Sequence, residues 1–339
     1  MRDPSVLRNL DGTSVKLGPL GLGVAPLGNL YSQVSDRDAA ITLAAARRHG
    51  IQWFDVAPLY GYGLAEVRLG AFLKSSELPL PIISTKVGRL LKPAQEMPAH
   101  NHFVAPLQFQ PVFDYSAAGI ERSYVESLQR LGLERVQLLL LHDIDRFSHP
   151  TNHRSVVRQI LDEALPTLNR LKSEGRVDAI GLGINEWDIG YEILASSQID
   201  CVLLAGRYTL LDATAFTSGF LDACLRRGVS VLAGGVFNSG SLAGGAYYNY
   251  KKAEEEMVQR REQLSTICNR YRIPLTAVSL QFAAAHPVVA SVVVGAHSAG
   301  EVEEIVRWKC PEYPTRPMGG ASLGRFHPRR RSGRVDIDD

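Results

Sequence analysis

The chain has 339 residues, 45% apolar and 21% charged, ordinary values for a soluble globular protein. One α/β barrel can absorb about 250 residues or more of such a chain. Lys plus Arg number 37 against 35 for Asp plus Glu, so a net charge of +2 gives no case for a nucleic-acid or membrane partner.

Eight short β-rich runs recur along the chain: 21–28, 51–57, 81–87, 136–142, 177–184, 200–205, 229–235 and 290–296. Longer helical patterns separate them. "SDRDAAITLAAARRHG" opens on Ser35 and Asp38, which resemble a capping box, and stops at Gly50. "GIERSYVESLQRLG", "VVRQILDEALPTLNRLKSEG" and "AEEEMVQRREQLSTICNRY" are each charged on one face. Nearly continuous apolar strands, each followed by an amphipathic helix, require a parallel sheet covered by helices. Eight repeats predict a closed α/β architecture, the (β/α)8 TIM barrel, over residues 12–310. A doubly wound sheet would place a glycine-rich phosphate turn at the start of a helix, and no helix begins beside Gly21 and Gly23.

The four cysteines, Cys201, Cys224, Cys268 and Cys310, are widely spaced without a metal-ligand pattern, and are expected as buried thiols in a reducing cytoplasm. No metal is expected. The N-terminus lacks the apolar core of a signal peptide and no apolar run approaches a membrane span, so the expected location is cytoplasmic. The expected assembly is a monomer or weak homo-oligomer. The tail over 311–339, rich in Pro, Gly and Arg, cannot bury a helix face; disorder is expected beyond about Pro311, with a change of reading frame near it.

In a barrel, chemistry sits at the C-terminal ends of the strands. There the sequence offers Asp55 after strand two, Lys86 at strand three, His142 at strand four, and Tyr60 in the loop after strand two. Taken singly, each has a structural explanation: a turn cap, a snorkelling lysine, a core histidine, a packing ring. Together at one mouth they form a proton relay. A phenol has a pKa of about 10, and a neighbouring ammonium lowers it, while a carboxylate keeps that ammonium charged in a dry pocket. Asp55 is expected to hold Lys86, Lys86 to tune Tyr60 as proton acceptor, and His142 to orient a substrate oxygen. Such a relay needs a separate hydride acceptor, which implies a nicotinamide. A metal-dependent hydrolase would want two or more histidines at strand ends, and only His142 qualifies.

Over roughly Leu17 to Lys309, "FDVAPLYGYGLAEVRLG", "ISTKVGR", "SLQRLGLERVQLLLLHD", "IGLGINEW" and "VVVGAHS" resemble, in order and spacing, the aldo-keto reductase superfamily. The resemblance implies that Asp55, Tyr60, Lys86 and His142 are its catalytic tetrad. It implies that Asn185 contacts the nicotinamide amide, and that Gly295 and Ser298 lie where the family grips the adenosine phosphate. "KVGRLL" and "HDID" look like the branch of D-threo-aldose 1-dehydrogenase (L-fucose dehydrogenase), to which pyridoxal 4-dehydrogenase is similar. The implied activity is NAD(P)-dependent oxidation of a cyclic hemiacetal, an L-fucose-like aldose or else pyridoxal, to a lactone. A general aldehyde or ketone reductase and a non-catalytic cofactor-binding subunit are the alternatives. Phe109, Phe113 and Tyr115 are expected as walls over the substrate. Two positions depart from the broader family: Ala205 stands where Gln holds the carboxamide, and Gly234 and Gly235 stand where an aromatic ring stacks. Val236, Phe237 or Asn238 would then rebuild the cofactor contacts. His297, mostly neutral at a reference pKa of about 6.5, replaces a basic residue and is followed by Glu301, Glu303 and Glu304, so NAD is expected over NADP.

Overall fold

The computed structural model describes residues 7–95 and 102–309. The expected disordered tail over 311–339, and Cys310, lie outside the described residues. The eight strands form where the apolar runs are: β1 (Leu20–Gly23), β2 (Trp53–Asp55), β3 (Ile82–Val87), β4 (Leu138–His142), β5 (Ala179–Ile184), β6 (Cys201–Ala205), β7 (Ser230–Gly234) and β8 (Val289–Gly295). All eight are parallel to their neighbours and close into one barrel in chain order.

Helix starts follow local chemistry. Ser35 caps α1 (Asp36–Arg48), accepting from the Asp38 amide, as the capping-box reading requires. Ser116 does the same for α2 (Ala117–Leu131), which ends on a left-handed Gly132. The long helical pattern after β4 is a helix with a flaw. Residues Ile160–Ala164 widen into a π-turn just before Pro166, which has no amide hydrogen to give to the preceding turn.

Strand alternation separates two apolar layers. Outward residues such as Phe54, Leu139, Leu141, Leu182 and Val202 pack against the helices. Inward residues, among them Trp53, Leu138, Leu140, Leu203 and Leu232, fill the barrel, and Leu10, Val15 and Leu17 of an N-terminal ribbon join them. The same alternation fixes the site. Two residues beyond inward Trp53 comes Asp55, and two beyond inward Leu140 comes His142. Asp55 is paired in register with Ser84, Lys86 with Leu140, and His142 with Gly183. Glycine at position 183 leaves room for the lysine stem: a Cβ there would stand 3.2 Å from Lys86 Cε and press on it.

Candidate active site

Lys86 is 1% exposed, so its charge must be compensated within the protein. It is compensated three times over. Its ammonium donates to Asp55 Oδ2 at 2.7 Å, to the Val56 carbonyl at 3.0 Å and to the Tyr60 hydroxyl at 3.0 Å, using all three of its protons. The other Asp55 oxygen accepts from Ser84 Oγ at 2.7 Å, so the carboxylate is fixed from both sides. Tyr60 is presented by a short 3-10 turn, Tyr60–Gly63, and its ring lies edge-on to the His142 ring at 6.2 Å.

The charge balance differs from the sequence expectation in one respect. Lys86 was expected to draw the phenol down, but burial, followed by the carboxylates Asp55 and Asp143, pushes Tyr60 well above the ordinary phenol value. The Lys86 charge is neutralised by Asp55, leaving desolvation to dominate. His142 is buried, and that burial draws it down to about 3, so its ring is neutral at physiological pH. Its Nδ1 is buried with no hydrogen-bond partner among the described residues.

A cavity of about 720 Å³ opens beside Asp55 and Tyr60 and runs across the strand ends to the last helix, α3 (Ala299–Lys309). Of the residues expected to hold a cofactor, Asn185, Phe237, Asn238, Gly295 and His297 line it. Ser298 does not; its hydroxyl caps α3 by accepting from the Glu301 amide at 3.3 Å. The cavity fits a dinucleotide in size and in chemistry. Its floor is widened by Gly23, Gly234, Gly235 and Gly295, and Ala205 adds only a methyl group. Gly235 has φ +58° and passes so close to Gly206 that a Cβ would meet the Gly206 nitrogen at 2.9 Å. Asn238 donates to the Gly206 carbonyl at 3.2 Å, while its own Oδ1 is buried without a protein partner, an acceptor facing no described donor. Phe237 meets Trp308 edge-on at 6.2 Å, and both line the far part of the cavity.

His297 is another correction. Its Nε2 lies 2.9 Å from the Leu30 carbonyl, and its Nδ1 lies 3.7 Å from Glu301. The Glu301 carboxylate beside it outweighs burial and raises the imidazole above its usual value. This histidine is more cationic than its bare type implies, and its charge is spent on Glu301.

The expected substrate walls are elsewhere. Residues Arg89–Pro93 and Phe109–Phe113 pair as an antiparallel ribbon, and none of Phe109, Phe113 and Tyr115 lines this cavity. Phe113 instead lies 3.9 Å from the Arg89 guanidinium, and Tyr115 is buried, donating to the His142 carbonyl at 2.8 Å. The aromatic groups over Tyr60 come from other loops. Phe103 stands 6.2 Å from the Tyr60 ring, and Tyr31 and Tyr250 line the cavity. Tyr31 is stacked on Tyr247 at 4.5 Å, and its amide donates to the His102 carbonyl at 2.7 Å, so three loops meet above the cavity. Burial, then Tyr60 and Asp143, raise the Tyr250 phenol above its ordinary value.

The parallel barrel and its cleft define the class, an oxidoreductase barrel, once set beside known proteins. Residues 19–310 match the aldo/keto reductase family model, and the chain belongs to that family. Members of this family use NAD(P)H. The chain is 39% identical to pyridoxal 4-dehydrogenase of Microbacterium luteolum, covering 89% of this chain and 92% of that one. It is 36% identical to D-threo-aldose 1-dehydrogenase of a Pseudomonas species, covering 87% and 90%. Among solved structures, the holo form of an aldo-keto reductase from Bacillus halodurans superposes with a TM-score of 0.67 at 25% identity, covering 89% of this chain and 90% of that one. Among the described residues no helix is long and apolar enough to cross a membrane.

Proposed function

We propose that the protein is an NAD(P)-dependent dehydrogenase that converts a cyclic hemiacetal to its lactone. The observation that carries this reading is the chain of short bonds from Ser84 through Asp55 and Lys86 to Tyr60, ending at the cavity wall. A bound nicotinamide supplies the hydride acceptor. Tyr60 takes the hydroxyl proton of the substrate in oxidation and returns it in reduction. Lys86 donates to the Tyr60 oxygen in both protonation states and stabilises the phenolate when it forms, while Asp55 keeps Lys86 charged. His142, neutral, donates or accepts a hydrogen bond without exchanging charge. Asn185, Phe237, Asn238, Gly295 and His297 hold the dinucleotide, with Ser298 fixing the helix start beside it.

The substrate of this reading is a pyranose of the L-fucose configuration, oxidised at its anomeric carbon; the motif likeness and the aldose dehydrogenase relative support it. Pyridoxal is the second reading. It is favoured by the aromatic rings of Tyr31 and Tyr250 in the cavity wall, with Phe103 beside Tyr60, which suit a flat ring, and by the pyridoxal 4-dehydrogenase relative. Initial rates of NAD reduction with L-fucose, D-glucose, pyridoxal and simple alcohols separate the two. L-Fucose is expected to lead. A strong preference for pyridoxal replaces the aldose, and equal rates on aliphatic alcohols overturn the hemiacetal reading altogether.

A further inference from the structure

The segment "HDID" places two carboxylates just beyond the end of β4, at positions 143 and 145, and the relay uses neither. Both are buried, Asp143 at 8% exposure and Asp145 at 0%, and Asp143 adopts a left-handed backbone, φ +50°, which aspartate tolerates better than most side chains. Both grip the same residue. Asp143 Oδ1 accepts from the Asn185 side-chain amide at 3.0 Å, and Asp145 Oδ2 accepts from the Asn185 backbone amide at 3.0 Å. The second oxygen of each acid is anchored as well, Asp143 Oδ2 by Arg89 at 2.7 Å and Asp145 Oδ1 by the Ser148 amide at 3.1 Å.

This grip has a chemical consequence. The two ends of an asparagine amide are nearly the same shape, so its orientation is decided by its neighbours. An ionised carboxylate only accepts. Asn185 must therefore turn its NH2 to Asp143, which leaves Oδ1 as the free end, and no described residue donates to that oxygen. Burial pushes the Asp143 carboxyl up, but His142 and Arg89 outweigh it and hold the group below its ordinary value. Since His142 is neutral at physiological pH, Arg89 is the partner that keeps the charge there.

We infer that Asp143 is a positioning residue that orients Asn185 as an obligate acceptor, so that the cavity selects a ring substituent carrying an N–H donor, a primary carboxamide, at that point. The inference rests on the reading of the cavity as a nicotinamide site. With alanine at position 205 the end of β6 offers no side-chain amide beside it, so the orientation of Asn185 matters the more.

The test compares two coenzymes by calorimetric titration, NAD and its 3-acetylpyridine analogue, in which the carboxamide NH2 is replaced by a methyl group. The wild type should bind NAD about fivefold tighter or more, the effect of one lost hydrogen bond at a buried acceptor. In Asp143→Asn the neighbour can donate or accept, Asn185 can turn either way, and the ratio should fall below about twofold. Arg89→Lys keeps a cation beside the same carboxylate, and so keeps Asp143 ionised, and should keep the wild-type ratio. Where Asp143→Asn alone leaves the Arg89 charge buried and unpaired and does not fold, the double variant Arg89→Met/Asp143→Asn removes both charges and should show the same loss of selection. Retention of the ratio in the Asp143 variants, or its loss to the same degree in Arg89→Lys, overturns the inference while leaving the nicotinamide reading in place. A wild type that binds NAD without preferring it over the analogue also overturns it, and one that binds neither coenzyme removes the nicotinamide reading as well.

Discussion

The two sides of the barrel mouth are built by different means. On the β2–β3–β4 side the functional atoms belong to side chains of strand ends, Asp55, Lys86 and His142, with Tyr60 on the turn after β2, and the centre of the group is tied by short bonds, as Lys86 is by Asp55, Val56 and Tyr60. On the β6–β7–β8 side the wall is largely backbone and small residues, with Ala205, Gly234, Gly235 and Gly295 at strand ends and loop side chains such as Phe237 and Trp308 beyond them. A proton relay demands fixed distances between charged groups, and strand ends supply them. A surface for a long flat ligand demands room, which absent side chains supply. Damage on the first side should therefore appear in chemistry and stability together, and damage on the second in coenzyme binding.

The largest effect tests the first side. Tyr60→Phe removes the proton acceptor and is expected to lower kcat by about 10²–10⁴ with coenzyme binding nearly unchanged. Lys86→Met should lose activity similarly and also destabilise the fold by about 3–5 kcal/mol, because Asp55 is left as an unpaired buried charge. Steady-state kinetics with calorimetric titration, and denaturant unfolding, measure the two. Wild-type turnover in Tyr60→Phe at neutral pH would sink the relay.

The pH response is next in size. Since Tyr60 is held above its ordinary value, its acceptor form is scarce at neutrality, so the oxidation rate should climb with pH through the alkaline range while reduction falls. A plateau in oxidation below pH 8 would contradict it. Stability has its own signature. His142 is lowered to about 3 in the fold, so as pH falls below about 6.5 the unfolded chain takes up a proton that the folded chain refuses, and stability declines by at most about 1.4 kcal/mol per pH unit. Burial lowers His149 as well and adds to the decline, whereas His297, raised by Glu301, opposes it. Unfolding of His142→Gln between pH 6.5 and 5 should show a shallower slope than the wild type; equal slopes would show that the proton belongs elsewhere.

On the second side, Gly235→Ala asks for a left-handed alanine and pushes its Cβ onto Gly206. A stability cost of about 1–2 kcal/mol for the backbone conformation is expected, with weakened coenzyme binding as the floor shifts. Thermal unfolding and titration of NAD check both. Binding unchanged alongside lost stability would mean that the Gly235 turn supports the barrel and not the ligand.

The same division decided what could be read from sequence. Strand alternation carries Trp53 to Asp55 and Leu140 to His142, so the barrel and the polar residues at its strand ends, Asp55, Lys86 and His142, were legible from apolar periodicity, and Tyr60 from the turn that follows Asp55. Periodicity says nothing about the course of a loop. Tyr31 and Tyr250 line the cavity and Phe103 stands by Tyr60 because three loops pack on one another, whereas Phe109 and Phe113 belong to the ribbon paired with Arg89–Pro93 and Tyr115 is held by the His142 carbonyl. Asp143 was in view within "HDID", but its grip on Asn185 depends on a strand neighbour 42 residues away. The sign of the Tyr60 shift was missed for a related reason: a pairwise argument counts Lys86 and leaves out the burial that Asp55 and Lys86 undergo together.

The smallest expected effect concerns the coenzyme, at the far end of the second side. A 2′-phosphate requires a cation free to meet it, and arginine does this best because its fork matches phosphate oxygens. His297 has charge to offer, but Glu301 lies against its Nδ1 and the Leu30 carbonyl against its Nε2, so both nitrogens are engaged. Glu304 lines the same part of the cavity and adds negative charge with no described partner in an ion pair. The sequence argument for NAD relied on a neutral histidine; the structural one relies on a histidine whose charge is already matched, and both give the same direction. His297→Arg should place a larger cation beyond the reach of Glu301 alone, and a gain of about 5- to 50-fold in kcat/KM with NADP relative to NAD is expected, the size of one added charge-assisted contact. Glu304→Gln should add a smaller gain by removing repulsion. Catalytic efficiencies with both coenzymes measure the shift, and a wild type that already prefers NADP would show that the phosphate is held by groups outside this end of the cavity.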